Sequence, residues 1–331
     1  MGARLIPTTL ATICALGAMV LGQTPTKHFN PMIDLLAAKQ PVFGLYAPSN
    51  RRFGPNGPVE AAPARSPTEL AREALSNRSS DFVFDGGMEP GLDRAYGPFS
   101  VFVKALGEAG IRATSPYAHF THALQIKSPK IAPDYARAAA DIGRQLNLGV
   151  TGLMFVETES AEEVQTGIAA MRFRSKGGTR ADDVGDAPAL WGMSEQEYKA
   201  RADVWPLSAD GELVNWTIVE SQEGLKHVRE IAQVKGVGVL WPGAGTLRGV
   251  FTTTSEKGEK VFDQTGWENA IQTVLAACKE FSVPCGYPAN DKDIETRLKQ
   301  GFSVFVMGWG EPGFNAIELG RKASGRAATT R

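Results

Sequence analysis

The sequence predicts an α/β protein, a (β/α)8 TIM barrel, on three observations. Short apolar stretches with strand composition alternate with amphipathic helical stretches, eight times over about 290 residues. Carboxylates, amides and glycines gather at the C-terminal ends of those strands, where barrels of this kind carry their chemistry. No Gly-x-Gly-x-x-Gly turn opens the first strand–helix junction, which argues against a dinucleotide fold. The balance of 43% apolar and 21% charged residues in a chain of 331 is that of an ordinary globular protein. A net charge of -1 without a long basic run speaks against nucleic acid as a partner and leaves small molecules.

Met1 to Gly22 has one charge, Arg4, and an almost wholly apolar run from Leu10 to Leu21. It is shorter than the roughly 20 residues a spanning helix wants, and small residues precede Gln23, so it reads as a signal peptide. The expected location is periplasmic or secreted, with no membrane contact in the mature form. Residues 23–40 form a polar leading segment and a short amphipathic helix (Met32, Leu35, Leu36), and the barrel occupies 41–331.

Pro41 to Tyr46 is the first strand, followed by a Pro-, Gly- and Arg-rich loop from Pro48 to Ser66. Thr68 to Leu75 is a helix, with Ser66 as N-cap and Pro67 at its first position. Strand Asp81–Asp85 and helix Phe99–Ala109 form the second unit, Ala123–Lys127 and Pro133–Leu146 the third, Gly152–Val156 and Ala161–Phe173 the fourth. Arg174 to Glu212 breaks the rhythm. It is a polar excursion with one helical segment at Glu195 to Ala202, placed over the barrel or in an oligomer contact. Strand Thr217–Val219, helix 223–234 and strand Val237–Trp241 follow, then a second insertion from Arg248 to Gln264. Helix 267–281, strand Cys285–Pro288, helix Asp291–Gln300, strand Phe302–Met307 and helix Phe314–Lys322 complete the alternation.

The stretch from Trp216 to Leu247 organises the chemistry. The β-branched run Thr217–Val219 ends on Glu220, and the neighbouring strand ends in a glycine-rich turn at Gly243 and Gly245. Adjacent parallel strands would bring an acid and a loop of backbone N–H groups to one edge, the arrangement a cation and a small anion need. The other strand ends offer Asp85 and Glu89, Gln125 and Lys127, Glu157, Asn290 and Trp309, with Arg51 and Arg52 as spare cations in the first loop. Several carboxylates converging on one mouth call for a divalent cation.

The ordered set Asp81-Phe-Val-Phe-Asp85-Gly86, Val156-Glu157-Thr158, Arg172-Phe173 with Gly178-Thr179-Arg180, Ile218-Val219-Glu220-Ser221-Gln222-Glu223-Gly224 and Gly243-Ala-Gly-Thr-Leu247 resembles the HpcH/HpaI family of class II pyruvate aldolases. The likeness runs through most of residues 40 to 322. It implies a metal-dependent carbon–carbon lyase that acts on a 2-oxo acid or related small organic acid through an enolate, with Mg²⁺, Mn²⁺ or Co²⁺ as cofactor and a homo-oligomeric assembly. Glu220 falls on the family's metal-binding carboxylate, and Glu89 is placed to approach the same metal. Gly243, Gly245 and Thr246 fall on the turn that holds the substrate's acid group. Asp85 matches the first Asp of the second-strand motif and Pro90 its closing Pro.

The match departs at four chemical positions. The proton-transfer His falls on Gly87-Met88. Gln125 stands near the third-strand Arg, with Lys127 two residues on along the same strand face. Thr246 replaces the second metal-binding Asp, and a late Gly-Ser-Asp turn reads Gly308-Trp309-Gly310. Asp85, Gln125 and Lys127 are therefore the catalytic candidates, Trp309 and Arg51 pocket-lining ones. Two accounts stay open: a divergent lyase with a rebuilt site, or a binder of small carboxylates without aldol chemistry.

His28 lies in the leading segment, His227 on a helix, and His119 and His122 ahead of the third strand, so none is expected at the mouth. Cys278 and Cys285 could bridge in an oxidising compartment, but two buried free thiols are the expected state.

Overall fold

Eight parallel strands pair in chain order: β1 (Val42–Tyr46), β2 (Phe82–Asp85), β3 (Leu124–Lys127), β4 (Gly152–Phe155), β5 (Leu213–Val219), β6 (Val237–Pro242), β7 (Gly286–Pro288) and β8 (Val304–Met307). β8 returns to β1 with Val42 opposite Val304. Between β6 and β7 the ring is joined by a parallel bridge, Leu240 to Cys285, with the Leu240 N–H donated to the Pro284 carbonyl at 2.9 Å. This is the barrel that the alternation predicts. The computed structural model describes residues 28–54, 57–60, 63–108 and 124–326; the stretch 1–22 that reads as a signal peptide, His119 and His122 lie outside the described residues.

Helix α1 (Pro31–Ala37) starts at Asn30, whose side chain accepts the Met32 N–H. Asn30 is itself held by Glu212, just before β5, through its N–H at 2.9 Å. The helix therefore closes the N-terminal end of the barrel. α2 (Pro67–Ser76) opens on the reciprocal Ser66–Glu69 capping box, with Pro67 in the first turn. The outer helices include α3 (Leu92–Glu108), α4 (Tyr135–Leu146) and α5 (Ala161–Met171). After the short α6 (Ala187–Trp191) and α7 (Glu195–Arg201) come α8 (Gln222–Lys226), α9 (Val228–Ala232) and α10 (Ala244–Val250). α11 (Gln264–Phe281), α12 (Ile294–Gln300) and α13 (Glu311–Ala323) complete the set. Among the described residues no helix is long and apolar enough to cross a membrane.

Strand alternation divides the core in two. Leu45, Val83, Ile126, Leu153, Phe155, Leu240 and Phe305 pack outward against the helices. Phe82, Phe84, Met154, Val214, Trp216, Ile218, Val239, Trp241, Val304 and Val306 face inward and meet Met32, Ile33 and Leu36 of α1. Trp216 is the centre of that lumen. Its ring stacks on Trp241 at 5.3 Å and on Phe84 at 5.9 Å, and meets Phe82 edge-on at 5.2 Å. Room for these rings comes from a missing side chain: a Cβ at Gly286 would stand 1.9 Å from the Trp241 ring.

Several expectations are corrected. The loop after β1 contains a hairpin, Arg51–Gly54 against Gly57–Glu60, and the 248–264 insertion contains a second, Thr252–Thr254 against Lys260–Phe262. α3 begins at Leu92 rather than Phe99, because Pro98 sits inside the helix and hides its first turns. The 174–212 excursion is not draped over the chemical end. It packs at the N-terminal side, where the Trp191 indole donates to the Gly149 carbonyl at 2.8 Å and Val204–Trp205 pairs with the start of β5.

Cys278 and Cys285 are not free thiols but a disulfide. α11 ends on Ser282 in the left-handed region (φ 56), which turns the chain back and brings the two Cα atoms to 5.6 Å, within bridging reach. Closing so short a loop constrains the unfolded chain by about 2–3 kcal/mol. Reduction should lower the midpoint of urea unfolding accordingly, while the Cys278→Ala/Cys285→Ala double variant should show no effect of reductant.

Candidate active site at the C-terminal mouth

On β5, Val214, Trp216 and Ile218 face the lumen, so the same alternation aims Glu220 inward one step beyond the strand's end. The residue is 3% exposed, and its Oε1 accepts the Glu157 N–H at 2.9 Å. Glu157 makes that contact from a left-handed backbone conformation (φ 49) that a residue with a side chain adopts at a cost of about 1–3 kcal/mol. Its own carboxylate points elsewhere, to Lys130 at 3.0 Å. Gly243, at the end of β6, is pressed against the acid: a Cβ there would lie 2.3 Å from Glu220 Cβ and 2.7 Å from Oε2.

The Glu-Ser-x-x-Gly motif thus has a physical reading. Glu220 enters the mouth, and Ser221 caps α8 by accepting the Gly224 N–H at 3.0 Å. Gly224 lacks a side chain because one would strike the Thr158 carbonyl at 2.6 Å.

A second group lines the β1–β3 side. Tyr46 extends the inward face of β1, its ring edge-on to Phe84 at 5.0 Å. Lys127 extends that of β3, its side chain 15% exposed, and its Nζ lies 2.8 Å from Glu89 Oε2. A Cβ at Gly86 would touch both Lys127 and Tyr46, at 3.6 and 3.9 Å, which puts the two side chains on either side of one glycine. Burial, then the negative charges of Glu89 and Asp85, push the Tyr46 hydroxyl up to about 12, so it stays protonated although 41% of the residue is exposed to the open mouth.

The remaining candidates are distributed as follows. Asp85 closes a local turn by accepting the Gly87 N–H at 2.7 Å; burial raises its pKa against the opposing pull of that N–H. Met88, at the position of the family's His, is buried in the outer core, its Sδ 3.3 Å from Gln145 Nε2. Gln125 is on the lumen face one layer below Lys127, roughly 6–7 Å deeper. It is fully buried, and neither amide atom has a hydrogen-bond partner among the described residues. It packs over Gly152, where a Cβ would come within 1.7 Å of its Oε1. At the rim of β3 the exposed polar group is therefore Lys127.

Trp309 is turned to the helical layer, donating its indole N–H to Glu73 at 2.7 Å and packing edge-on to Phe314. It does not face the lumen. Arg51 is in the hairpin after β1, opposite Glu60. Gly245 and Thr246 are exposed on the first turn of α10, which has Gly243 as N-cap and no side-chain cap.

Glu220 is the carboxylate here that can hold a cation; the ion pair assigns Glu89 to Lys127. No group of three His, Cys, Asp or Glu gathers among the described residues. One buried carboxylate fits a Mg²⁺-like ion that keeps waters and takes substrate oxygens, and does not fit an all-protein cage.

A parallel barrel with an inward carboxylate at the C-terminal rim defines a TIM-barrel protein with an enzyme-like mouth. The chain belongs to the HpcH/HpaI aldolase/citrate lyase family, whose profile matches residues 130–310. That span holds Glu220 and the Gly243–Thr246 turn but not Tyr46, Asp85, Glu89, Gln125 or Lys127. An HpcH/HpaI aldolase/citrate lyase family protein from Burkholderia cenocepacia J2315 shares the fold at TM-score 0.59 and 21% identity, over 84% of this chain and 92% of that one. Macrophomate synthase does so at 0.58 and 16%, over 89% and 85%. CitE from Mycobacterium tuberculosis, solved with magnesium and acetoacetate, does so at 0.50 and 15%, over 88% and 92%. No curated protein matches the chain by sequence.

Proposed function

We propose that this barrel is a divalent-cation-dependent carbon–carbon lyase of the aldolase type, acting on a 2-oxo acid or related small organic acid. The observation that carries the reading is Glu220: a carboxylate buried at the lumen's chemical end and fixed by the N–H of a strained neighbour. Glu220 would hold Mg²⁺, Mn²⁺ or Co²⁺, the remaining positions being left to water and substrate oxygens. A bound cation of this kind acts as a Lewis acid toward the oxygens of the acid and the forming enolate. The chain's own contribution is orientation and exclusion of water. The Glu157 N–H fixes one carboxylate oxygen, Gly243 lets the β6 turn approach the other, and the Trp216 stack makes a dry floor. A barrel of the same fold carrying magnesium with a 2-carbon-longer relative of acetate, as CitE carries acetoacetate, supports the substrate class.

Binding of small carboxylates without bond cleavage is the second reading, favoured by the buried Met88 where the family has a proton-transfer His. The two separate on proton–deuterium exchange at the pyruvate methyl group. The lyase predicts exchange in D₂O that needs added Mg²⁺ or Mn²⁺ and stops with chelator. Tight acid binding with no exchange would decide for the binder. We also infer export to an oxidising compartment, which the disulfide supports, and self-association as in the family.

A further inference from the structure

We propose that Tyr46 is the proton donor to the enolate carbon, the role for which the family's His is absent here. The inference rests on the lyase reading and adds a catalytic residue from outside the matched span 130–310. Three observations point to it.

Tyr46 is the last residue of β1, and alternation turns it inward: Val42 lies in the lumen core and Leu45 in the outer one. Its ring packs edge-on to Phe84 at 5.0 Å, while 41% of the residue stays open to the mouth. Among the described residues no hydrogen bond engages its hydroxyl. Second, β5 lies four strands from β1 in either direction round the ring, so Tyr46 and Glu220 stand on opposite sides of one rim. An eight-stranded barrel is just wide enough for side chains to fill, so an acid held from the Glu220 side presents its far end to the Tyr46 side. Third, the other groups on the β1–β3 side are committed. Lys127 and Glu89 pair at 2.8 Å, Asp85 accepts the Gly87 N–H, Gln125 is buried a layer lower, and Met88 lies in the outer core. A phenol is protonated at neutral pH, and here burial, then the charges of Glu89 and Asp85, strengthen its hold on the proton.

The step balances. Cleavage of the carbon–carbon bond leaves its electron pair on the enolate, and the hydroxyl that becomes the aldehyde carbonyl gives its proton to water. The Tyr46 O–H bond then breaks, a C–H bond forms at the enolate carbon, and the keto group is restored. The phenolate regains a proton from water at the open mouth. One proton is lost to water and one is recovered, with no redox change.

The test compares the full-length wild type with Tyr46→Phe, which keeps the ring on Phe84, in Mn²⁺ with two probes. Oxaloacetate loses carbon dioxide to give the enolate without any proton donor. Methyl exchange of pyruvate in D₂O needs the donor step and its reverse. In Tyr46→Phe, first-turnover carbon dioxide release is expected within about threefold of wild type and methyl exchange about a hundredfold lower. Mn²⁺ binding by calorimetry and the thermal midpoint should stay unchanged. Exchange within about tenfold of wild type, or equal loss of both reactions, overturns the assignment. The wild-type arms need no variant to fold. A wild type that releases carbon dioxide but does not exchange the methyl group also overturns it, and carbon–carbon cleavage then stands without Tyr46. If wild type does neither, both readings fall.

Discussion

Glu220→Gln is expected to lower the kcat/KM of metal-dependent exchange by about a thousandfold, with the thermal midpoint shifted only slightly. The two side chains have nearly the same shape, and the amide oxygen can still accept the Glu157 N–H that now goes to Oε1. Fold-level contacts are therefore kept. Under the proposed function, what disappears is the negative charge that would hold a Mg²⁺-like ion, and with it the Lewis acid that would stabilise the enolate; losing one such electrostatic contact costs about 3–4 kcal/mol of transition-state stabilisation. Since no cluster of three metal-ligating side chains stands by to replace it among the described residues, no rescue by a neighbour is expected. Titration calorimetry with Mn²⁺ should show the same loss in binding. A variant that exchanges the pyruvate methyl group within tenfold of wild type would remove Glu220 from the mechanism.

Glu220 was legible because alternation along β5 and its position after a β-branched run are properties of local sequence. The start of that strand was not. Asn215 interrupts the apolar pattern, and only the fold reveals its Nδ2 bonded to the Trp216 carbonyl at 3.1 Å and its Oδ1 accepting from Thr217. The features of the site that escaped reading are all non-local. The Glu157 N–H is useful because of a backbone dihedral, which side-chain chemistry does not announce; the sequence shows only an exposed carboxylate. Lys127 and Glu89 are 38 residues apart, and Trp309 meets Glu73 across 236. Tyr46 reads as the last residue of a strand, and its place in the mouth depends on which face of β1 turns inward. The disulfide follows from a left-handed Ser282 that no spacing rule supplies.

Trp216→Ala should destabilise the protein by about 3–5 kcal/mol, a large part of the 5–15 kcal/mol typical of a domain. The indole is fully buried and contacts Phe82, Phe84 and Trp241, which come from two strands on either side of the ring. Those neighbours cannot close the gap. Phe82 sits in the space left by Gly44 and Trp241 in that left by Gly286, so each ring is locked by the strand behind it. Trp216→Phe keeps the stack while deleting an indole N–H that has no partner among the described residues, and should cost clearly less. Urea unfolding of the two variants measures the difference, and equal costs would mean that the lumen is not packed around this ring. The consequence reaches the site, because Glu220 lies two inward positions along β5 from Trp216, on the same face of the same strand. Exchange activity measured well below the unfolding transition should therefore fall in the alanine variant and survive in the phenylalanine one.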